Sequence, residues 1–357
     1  MEALTKWIGS KVKFLDGILP LIPGGFARYY EPFVGGGSLF LGVHDCERFF
    51  INDDCTELME LYREAARPTR MFLSHIRDIG TAWRNVGRVF QDKKEPLVKI
   101  YRDFPEGKKF SYLDYIEAVN AALRTISYDE VFPQHYTGPD MFEMEKRFHF
   151  SQMKARSAGR DFRCEEQLEE YILTSLKMSV YSYFTEIYNS KEEVTQGLKR
   201  AILFFLLYFS ANGQFVYDRQ GEFRPVYAGV GHNMKTVETK LSQFRSEEFL
   251  GRMAKTEIHN LDFRDFFRRR HARAGDFLMV DPPLGAMCKK VGSKIFSDED
   301  LADLLVQLGR SKAQWMLLVK QADLKEAIAA FAQSRFVTFV GPHQEVLVIT
   351  NYDTTKV

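Results

Sequence analysis

Hydrophobic and polar positions follow a strand-like pattern near both ends of the chain. Short apolar runs at 49–51, 277–280 and 315–319 each stop at acidic or polar residues. Runs of this length, bounded in this way, predict buried strands of a largely parallel sheet. Two further runs, 336–340 and 346–350, predict a closing antiparallel pair.

The middle of the chain has a helical pattern. In 165–188 the apolar residues recur near i, i+3, i+4 and i+7, which predicts a long helix. The longest apolar run, 201–211, is about half of the roughly 18 residues that a membrane helix needs, and predicts a buried core helix. We therefore expect an α/β fold with a Rossmann-like sheet and helices on both faces, split in sequence by a mainly helical insertion. The predicted boundaries are 1–64 and 246–357 for the sheet domain and 65–245 for the insertion.

Composition adds limits to this picture. The net charge is +1, so no global charge indicates a nucleic-acid partner. The four cysteines show no C-x-x-C pair or metal spacing, which predicts a reducing cytoplasm and no metal site. Residues 1–6 lack the pattern of a secretory leader, and no membrane association is expected.

A local cluster of basic and aromatic residues lies between 146 and 163. Its members are Lys146, Arg147, Lys154, Arg156, Arg160 and Arg163, interleaved with Phe148, His149 and Phe150. Basic side chains neutralise phosphates and aromatic rings stack on exposed bases, so this mixture suits DNA. Taken alone, the cluster is more typical of a solvated, partly helical surface.

Three short motifs follow the predicted strands. Glycines 35–37 come after a strand, at the edge of an α/β sheet where ligands bind, and lack a Cβ that would keep a ligand away. Asp53 ends the second strand, where an acid accepts hydrogen bonds from ribose or caps the next helix. Asp281-Pro282-Pro283-Leu284 follows an apolar strand, and its aspartate and Pro282 carbonyl are placed to accept hydrogen bonds from an amino group.

Together these motifs resemble the Dam-like family of adenine-N6 DNA methyltransferases. Further segments similar to that family are the opening Lys6-Trp7-Ile8-Gly9-Ser10-Lys11, the cofactor loop from Glu31 to Ser38, the DNA-recognition hairpin with Asn212-Gly213 and Gly221-Glu222-Phe223, and the adenine-closing segment Asn260-Leu261-Asp262-Phe263. Phe296, Ser297 and Asp300 keep the spacing of the family's next helix start. The resemblance covers roughly 4–64 and 200–353.

The resemblance implies a methyltransferase sheet that binds S-adenosylmethionine and methylates a flipped adenine in double-stranded DNA, with no metal. It implies catalytic roles for Asp281, Pro282, Pro283, Leu284 and Lys11. It implies cofactor contacts from Trp7, Lys11, Glu31, Phe33, Gly35, Gly37, Asp53, Asp262, Phe263 and Asp281. For DNA binding we predict Asn212, Gly213, Arg156 and Arg160. A restriction endonuclease, or another defence or phage protein, is left open as a partner.

Two residues depart from the family pattern. Leu284 stands where the family has an aromatic ring that stacks on the flipped adenine, and Val216 stands where a basic base-reading residue is expected. We therefore predict slow but real methylation, with Phe296 or Trp315 as candidates for the missing ring. The alternatives are a catalytically weakened, regulatory relative that binds DNA and cofactor, and a methyltransferase acting on RNA or a small molecule.

Overall fold

The chain forms two compact units. A computed structural model describes residues 1–104, 111–134, 136–191, 194–214, 216–284 and 296–356. The sheet unit comprises 1–68, 213–216 and 243–357, and the helical unit comprises 69–212 and 217–242. These bounds differ from the predicted ones mainly at 213–216, which we expected in the insertion and which packs with the sheet unit.

Within the described residues of the sheet unit, seven strands form one sheet in the order β3-β2-β1-β4-β5-β7-β6. Their bounds are β1 Arg28–Glu31, β2 Arg48–Asn52, β3 Thr256–His259, β4 Phe277–Val280, β5 Gln314–Lys320, β6 Phe336–Val340 and β7 Val346–Thr350. The first five in this order are parallel, and β7 runs antiparallel to both β5 and β6. The predicted strands and the closing antiparallel pair are confirmed.

The central strands are covered on both faces. Every residue of β4 and of β7 is buried, and successive side chains of a strand point to opposite faces. Both faces of the sheet are therefore covered, which confirms the predicted α/β class with flanking helices. Continuous runs of apolar residues are what such strands require.

The helices of the sheet unit are short. They are Leu15–Ile18, Ser38–Gly42, Thr56–Ala66, Glu247–Ala254, Phe263–Arg269, Asp298–Arg310 and Glu326–Ala332, with 3₁₀ turns at Val12–Phe14, Leu19–Leu21, Gln321–Asp323 and Thr354–Lys356. Asp298–Arg310 begins with a capping box in which Ser297 and Asp300 satisfy each other's backbone N–H groups. The sequence spacing of these two residues thus marks a true helix start.

The helical unit contains several long helices and a few short ones. Their bounds are Arg70–Lys93, Glu95–Asp103, Tyr112–Arg124, Tyr128–Val131, Pro139–Ser157, Glu165–Asn189, Gln196–Phe209 and Glu238–Gln243, with a 3₁₀ turn at Val230–His232. Glu165–Asn189 is the predicted long helix. Gln196–Phe209 has all nine side chains from Ala201 to Phe209 buried, as predicted for a core helix. Across the described ranges, no helix has the length and apolar content to span a membrane.

The strand order places a crevice at the centre of the sheet. Strand numbers rise from β1 through β2 to β3 on one side and from β4 to β5 on the other. Connections therefore leave β1 and β4 in opposite directions, which opens a gap at their carboxyl ends. Ligands of open α/β sheets bind at such a point, and the motifs predicted to bind cofactor follow β1, β2 and β4.

Candidate functional site

Three acidic side chains meet at the carboxyl ends of the central strands. Glu31 ends β1, Asp53 follows β2, and Asp281 follows β4. The parallel register pairs Glu31 with Ile51 and Tyr30 with Leu278, so the three strand ends lie side by side. Burial raises the pKa of Glu31 well above its usual value, and the charges of Asp281 and Asp53 raise it further. The predicted acids thus form one electrostatic group.

The glycine loop is shaped by contacts within the sheet unit. Gly35 and Gly37 have left-handed backbones, with φ of 49° and 77°. A Cβ at Gly35 would lie 2.6 Å from the Trp7 ring, and one at Gly36 would lie 2.5 Å from the Thr5 carbonyl. A Cβ at Gly37 would collide with the Tyr62 hydroxyl. The missing Cβ atoms therefore make room for the protein's own atoms, and Trp7 lies directly against the loop.

Asp53 holds this loop in place. One carboxylate oxygen accepts from the Gly35 N–H at 3.1 Å, and the other accepts from the Cys55 N–H at 3.0 Å. Burial, followed by the neighbouring charge of Asp54, raises the pKa of Asp53 to about 7. The buried Tyr62 hydroxyl also donates to the Gly35 carbonyl, at 3.0 Å. Sequence reasoning missed Tyr62, because nothing in its helical neighbourhood distinguishes it from a core residue.

Asn52 connects two loops of the site. Its amide nitrogen donates to the carbonyls of Pro32 and Leu261 at 3.0 and 2.9 Å, and its oxygen accepts from the Leu261 N–H at 2.9 Å. Asn260 adds a bond to the Asp53 carbonyl at 2.9 Å. These bonds fix the segment 260–263 beside the glycine loop. A buried asparagine at the end of an apolar strand was the signal for this role, although we did not predict it as a site residue.

Asp262 and Phe263 begin the helix Phe263–Arg269. Asp262 is its N-cap and accepts from the Arg264 N–H at 2.9 Å, which is the structural role that the sequence left open. The rings of Phe33, Phe263 and Phe296 lie 5.5–5.8 Å apart, centre to centre. Phe33 and Phe296 are partly buried, so this aromatic cluster retains accessible ring surface.

Arg264 ties this helix to the next one. Its guanidinium donates to Asp300 at 2.7 Å and to Asp303 at 2.6 Å, both on the helix Asp298–Arg310. Burial lowers the pKa of Arg264, but these two hydrogen bonds and the charges of Asp300 and Asp262 outweigh it and raise that pKa above its usual value. The helix that begins at Phe263 is thereby fixed to the helix Asp298–Arg310.

Asp281 forms an ion pair with Lys11. The Lys11 ammonium lies 2.6 and 2.7 Å from the two carboxylate oxygens and 2.9 Å from the Gly9 carbonyl. The side chains are 4% and 19% exposed for Lys11 and Asp281, respectively. Burial raises the pKa of Asp281, while the Lys11 charge and hydrogen bond oppose that rise. The structure thus brings together two of the residues predicted to be catalytic, which are 270 positions apart in the sequence.

The residues after Asp281 form a tight turn. The Leu284 N–H donates to the Pro282 carbonyl at 2.8 Å, so one lone pair of that predicted acceptor is already used. Pro283 is exposed, whereas Leu284 is 9% exposed and packs in the hydrophobic cluster that includes Phe263 and Leu301. Residues 285–295, which include Cys288, lie outside the described residues.

Of the two candidates for the missing aromatic surface, one is unsuitable. Trp315 is 1% exposed on β5 and stacks on Phe331 at 5.6 Å, so it has no free face. Phe296 remains as a partly buried ring in contact with Phe33 and Phe263. Among the described residues, no group of three or more His, Cys, Asp or Glu side chains is arranged to hold a metal ion.

The predicted DNA-binding residues have mixed environments. Asn212 is exposed, whereas Gly213 is buried against the backbone of Lys6 and Trp7, with φ of 67°. Arg156 and Arg160 are exposed, as phosphate contacts require.

The interpretation of the whole basic stretch as a DNA surface is wrong in part. Lys146 is fully buried and donates to the Leu123 and Ile126 carbonyls, where it satisfies helix ends. Phe150 is also fully buried and belongs to the core. The helix Pro139–Ser157 buries one face, and a linear cluster of charges cannot show which members lie on it.

Comparison with known proteins agrees with the resemblance drawn from the motifs. The family of D12 class N6 adenine-specific DNA methyltransferases matches residues 7–174. The DNA adenine methylase of Escherichia coli K12 is 31% identical over 113 residues, which is 32% of this chain and 40% of that protein. The Type II methyltransferase M1.LlaDCHI of Lactococcus lactis subsp. cremoris is 38% identical over 64 residues, 18% of this chain and 22% of that protein.

These matches cover parts of each protein. The chain spans about 40% of the length of the DNA adenine methylase it matches, and the family match ends before Asp281. It extends past residue 64 into the helical unit, where the motifs had shown no detailed likeness. The resemblance to adenine-N6 DNA methyltransferases is confirmed over these matched segments.

Proposed function

We propose that this chain, a relative of the D12 class N6 adenine-specific DNA methyltransferases, transfers a methyl group from S-adenosylmethionine to adenine N6 in double-stranded DNA. One observation carries the proposal. Asp281 stands at the end of β4, in the same crevice as the glycine loop and Asp53, and is paired with Lys11. An acceptor for an amino group therefore lies next to a site suited to a nucleoside-like cofactor.

The crevice has the chemistry that S-adenosylmethionine requires. Glu31 is a buried carboxyl whose raised pKa would fall again beside the cationic amine of a methionine group. Asp53 can accept from ribose hydroxyls in addition to its backbone bonds. The rings of Phe33, Phe263 and Phe296 provide flat apolar surface for adenine. When bound, the cofactor supplies an electrophilic methyl group on a sulfonium.

Trp7, Gly35, Gly37 and Asp262 have supporting roles in this proposal. Trp7 packs on the glycine loop, and the two glycines give that loop its left-handed turns. Asp262 starts the helix that carries Phe263. We propose that these residues shape the cofactor site and that Asp53, Glu31 and Phe263 make its main polar and aromatic contacts.

Adenine N6 is a poor nucleophile because its lone pair is delocalised into the ring. The Asp281 carboxylate and the remaining lone pair of the Pro282 carbonyl can accept hydrogen bonds from the two N6–H groups, which returns electron density to nitrogen. A bound cofactor would supply the methyl carbon to N6 and would keep the S–CH₃ bonding pair on its sulfur, and Asp281 would accept the N6 proton that is released. Alignment of N6 with the methyl group supplies much of the rate.

Lys11 keeps Asp281 in the carboxylate form, which accepts hydrogen bonds. Burial alone would favour the protonated carboxylic acid, which accepts poorly, and the ammonium at 2.6 Å favours the carboxylate instead. A carboxylate has about four lone-pair sites, so Asp281 can bind N6 while it retains Lys11. We propose that Lys11 is part of the catalytic group for this reason.

The target base must leave the helix, at a cost of a few kcal/mol of unstacking. Leu284 offers dispersion contact and no ring, and Pro283 adds an exposed apolar surface beside it. We propose that the enzyme methylates slowly because the flipped base is held less firmly. We further propose that Arg156, Arg160 and Asn212 contact the DNA, with the buried Gly213 shaping the turn that follows Asn212. Action in the cytoplasm and a restriction endonuclease, or another defence or phage protein, as a partner complete the proposal.

The test is methyl transfer from labelled S-adenosylmethionine to double-stranded DNA, to RNA and to no acceptor, followed by mass spectrometry of the nucleosides. We expect N6-methyladenine from DNA and none from RNA. Transfer of the label to RNA, or transfer in the sample without any acceptor, would contradict the proposal.

A second function is favoured by Leu284. A relative that binds cofactor and DNA without turning over would retain the crevice and lack the stacking ring. It would give saturable binding of cofactor and DNA with no methyladenine after long incubation. That outcome would support a regulatory role instead of catalysis.

A further inference from the structure

The helical unit contains a groove separate from the crevice in the sheet unit. It lies between the helices Pro139–Ser157 and Glu165–Asn189 and the segment 225–230, and encloses about 450 Å³. Small-molecule sites in proteins typically enclose about 300–1,000 Å³. All of the residues that line it belong to the helical unit, so the groove is complete within that unit.

Much of the groove wall is apolar or aromatic. Met153 and Met178 face it from the two helices, and Tyr171 adds a ring. Val226 and Val230 line its edge and are 61% and 42% exposed. Exposed apolar side chains that cluster around a concave surface are typical of a ligand-binding site.

Two cations stand beside this apolar wall. Arg156 and Arg160 line the groove and are exposed, and neither pairs with a carboxylate in the described part of the chain. The Arg160 guanidinium lies 5.2 Å from the centre of the Tyr171 ring. The carboxylate of Glu145 is held 3.0 Å from His149 Nε2. The positive charge is therefore available to a phosphate, which guanidinium groups bind in a bidentate manner.

The groove also has polar groups. His149 Nε2 lies 2.7 Å from the Ser182 hydroxyl. The other ring nitrogen, Nδ1, is buried and has no hydrogen-bond partner among the described residues. Buried polar atoms without partners are rare in proteins, and this one belongs to a residue that lines the groove.

We propose that this groove binds a single nucleotide, with its phosphate on Arg156 and Arg160 and its base against Tyr171, Met153 and Met178. Ser182 and His149 provide polar contacts for the sugar or the base edge. The phosphate matches the paired guanidiniums, and the flat base matches the aromatic and thioether wall. An unstacked nucleotide of a DNA strand and a free nucleotide share this chemistry.

The test is calorimetric titration of the full chain, without S-adenosylmethionine, with deoxyadenosine monophosphate, deoxyadenosine and inorganic phosphate. We expect saturable binding of the monophosphate, tighter by about tenfold or more than either fragment because both halves of the groove contribute. Arg156→Ala with Arg160→Ala, and separately Met178→Glu, should each weaken binding by about tenfold or more. Arg147→Ala, an exposed arginine on the same helix that does not line the groove, is the matched control and should bind like the wild type.

Two further measurements separate this site from the crevice and show whether the bound nucleotide belongs to a DNA strand or is free. Asp281→Asn, which alters the methyl-transfer site, should leave monophosphate binding unchanged. A short single-stranded oligonucleotide should displace the monophosphate if the source is DNA, and should fail to displace it if the source is a free nucleotide. No saturable binding, equal binding by the double arginine variant, or inorganic phosphate binding as tightly as the nucleotide would overturn the proposal. Because no methyl transfer is measured, its failure is distinct from failure of the proposed enzyme activity.

Discussion

Asp281 and Lys11 form a buried pair in which each residue depends on the other. Asp281→Ala should abolish methyl transfer, because the main acceptor for N6 is lost. It should also lower the free energy of unfolding by about 3–5 kcal/mol, since the nearly buried Lys11 ammonium loses its partner. Single-turnover assays and denaturant unfolding measure the two effects.

The control for this change is Lys11→Met in the Asp281→Ala background. Removing the unpaired charge should recover much of the stability and none of the activity. Methyl transfer that persists in folded Asp281→Ala protein would remove Asp281 from the proposed mechanism.

Glu31 gives a pH-dependent prediction. Its raised pKa means that the folded protein keeps a proton that the unfolded chain releases above about pH 4.3. Stability contributed by this group is therefore lost as pH rises toward the folded-state pKa. Glu31→Gln resembles the protonated form and can still accept from Tyr29, 2.7 Å away in the wild type. We expect a flatter pH–stability profile and a more stable free protein at neutral pH.

The same change should weaken S-adenosylmethionine binding. Loss of a charge-assisted hydrogen bond costs about 1.5–3 kcal/mol, which is roughly ten- to a hundredfold in affinity. Thermal unfolding across pH, with and without cofactor, measures both effects. A variant that is destabilised at every pH and binds cofactor normally would show that Glu31 is a core residue with no cofactor role.

Leu284 tests whether a missing ring limits activity. Leu284→Tyr restores a surface for base stacking worth about 1–3 kcal/mol, and we expect faster methylation of DNA. Because Leu284 packs in the hydrophobic cluster, the larger ring should also cost about 1–3 kcal/mol of stability. Leu284→Ala is the control and should lose stability without a gain in rate. If the tyrosine variant is no faster than wild type, the side chain at 284 serves packing alone.

At the scale of elements, Asn52 joins the end of β2 to the loops at Pro32 and Leu261. Asn52→Ala leaves the buried Pro32 carbonyl and the half-buried carbonyl and N–H of Leu261 without this partner, and a buried unsatisfied group costs about 1–3 kcal/mol. We expect a large loss of stability and weaker cofactor binding. Denaturant unfolding and calorimetry measure these quantities.

Asn52→Asp sharpens this test. The isosteric carboxylate can accept from the Leu261 N–H, but it faces the two carbonyls and repels them. It should therefore be as damaging as alanine, although it preserves shape. Thr56→Ala, which removes an exposed bond to Asn260, is the control and should have a small effect. A well-tolerated aspartate would show that the connection between the loops depends on packing.

At the scale of the whole molecule, DNA affinity should fall as salt rises, because neutralised phosphates release counterions. Arg156→Ala with Arg160→Ala should lower affinity for all sequences and reduce the slope of log affinity against log salt by about 1–2. Fluorescence anisotropy over a salt series provides the slope. Arg48→Ala with Arg310→Ala removes two exposed charges from the sheet unit and should leave the slope nearly unchanged. If the two double variants have the same slope of log affinity against log salt, Arg156 and Arg160 do not contact DNA phosphates.

The sequence by itself determined the class of fold and the position of the crevice residues. The apolar runs at 277–280 and 346–350 coincide with β4 and β7, in which every residue is buried, because strands buried on both faces cannot tolerate polar positions. Glycine 35, Asp53 and Asp281 were recognisable because a residue that follows a parallel strand lies at one edge of the sheet, whatever the rest of the fold is. The cap pair Ser297 and Asp300 was recognisable for a similarly local reason.

Tertiary structure decided which of these residues act on one another. The ion pair between Lys11 and Asp281 joins positions 270 residues apart, and no local pattern indicates such a contact. The burial of Lys146, the packing of Leu284 and the bonds of Asn52 depend on what the surrounding elements place against them. A side chain's charge and shape are set by the sequence, whereas its exposure, its partner and its pKa are set by the atoms around it in the folded chain.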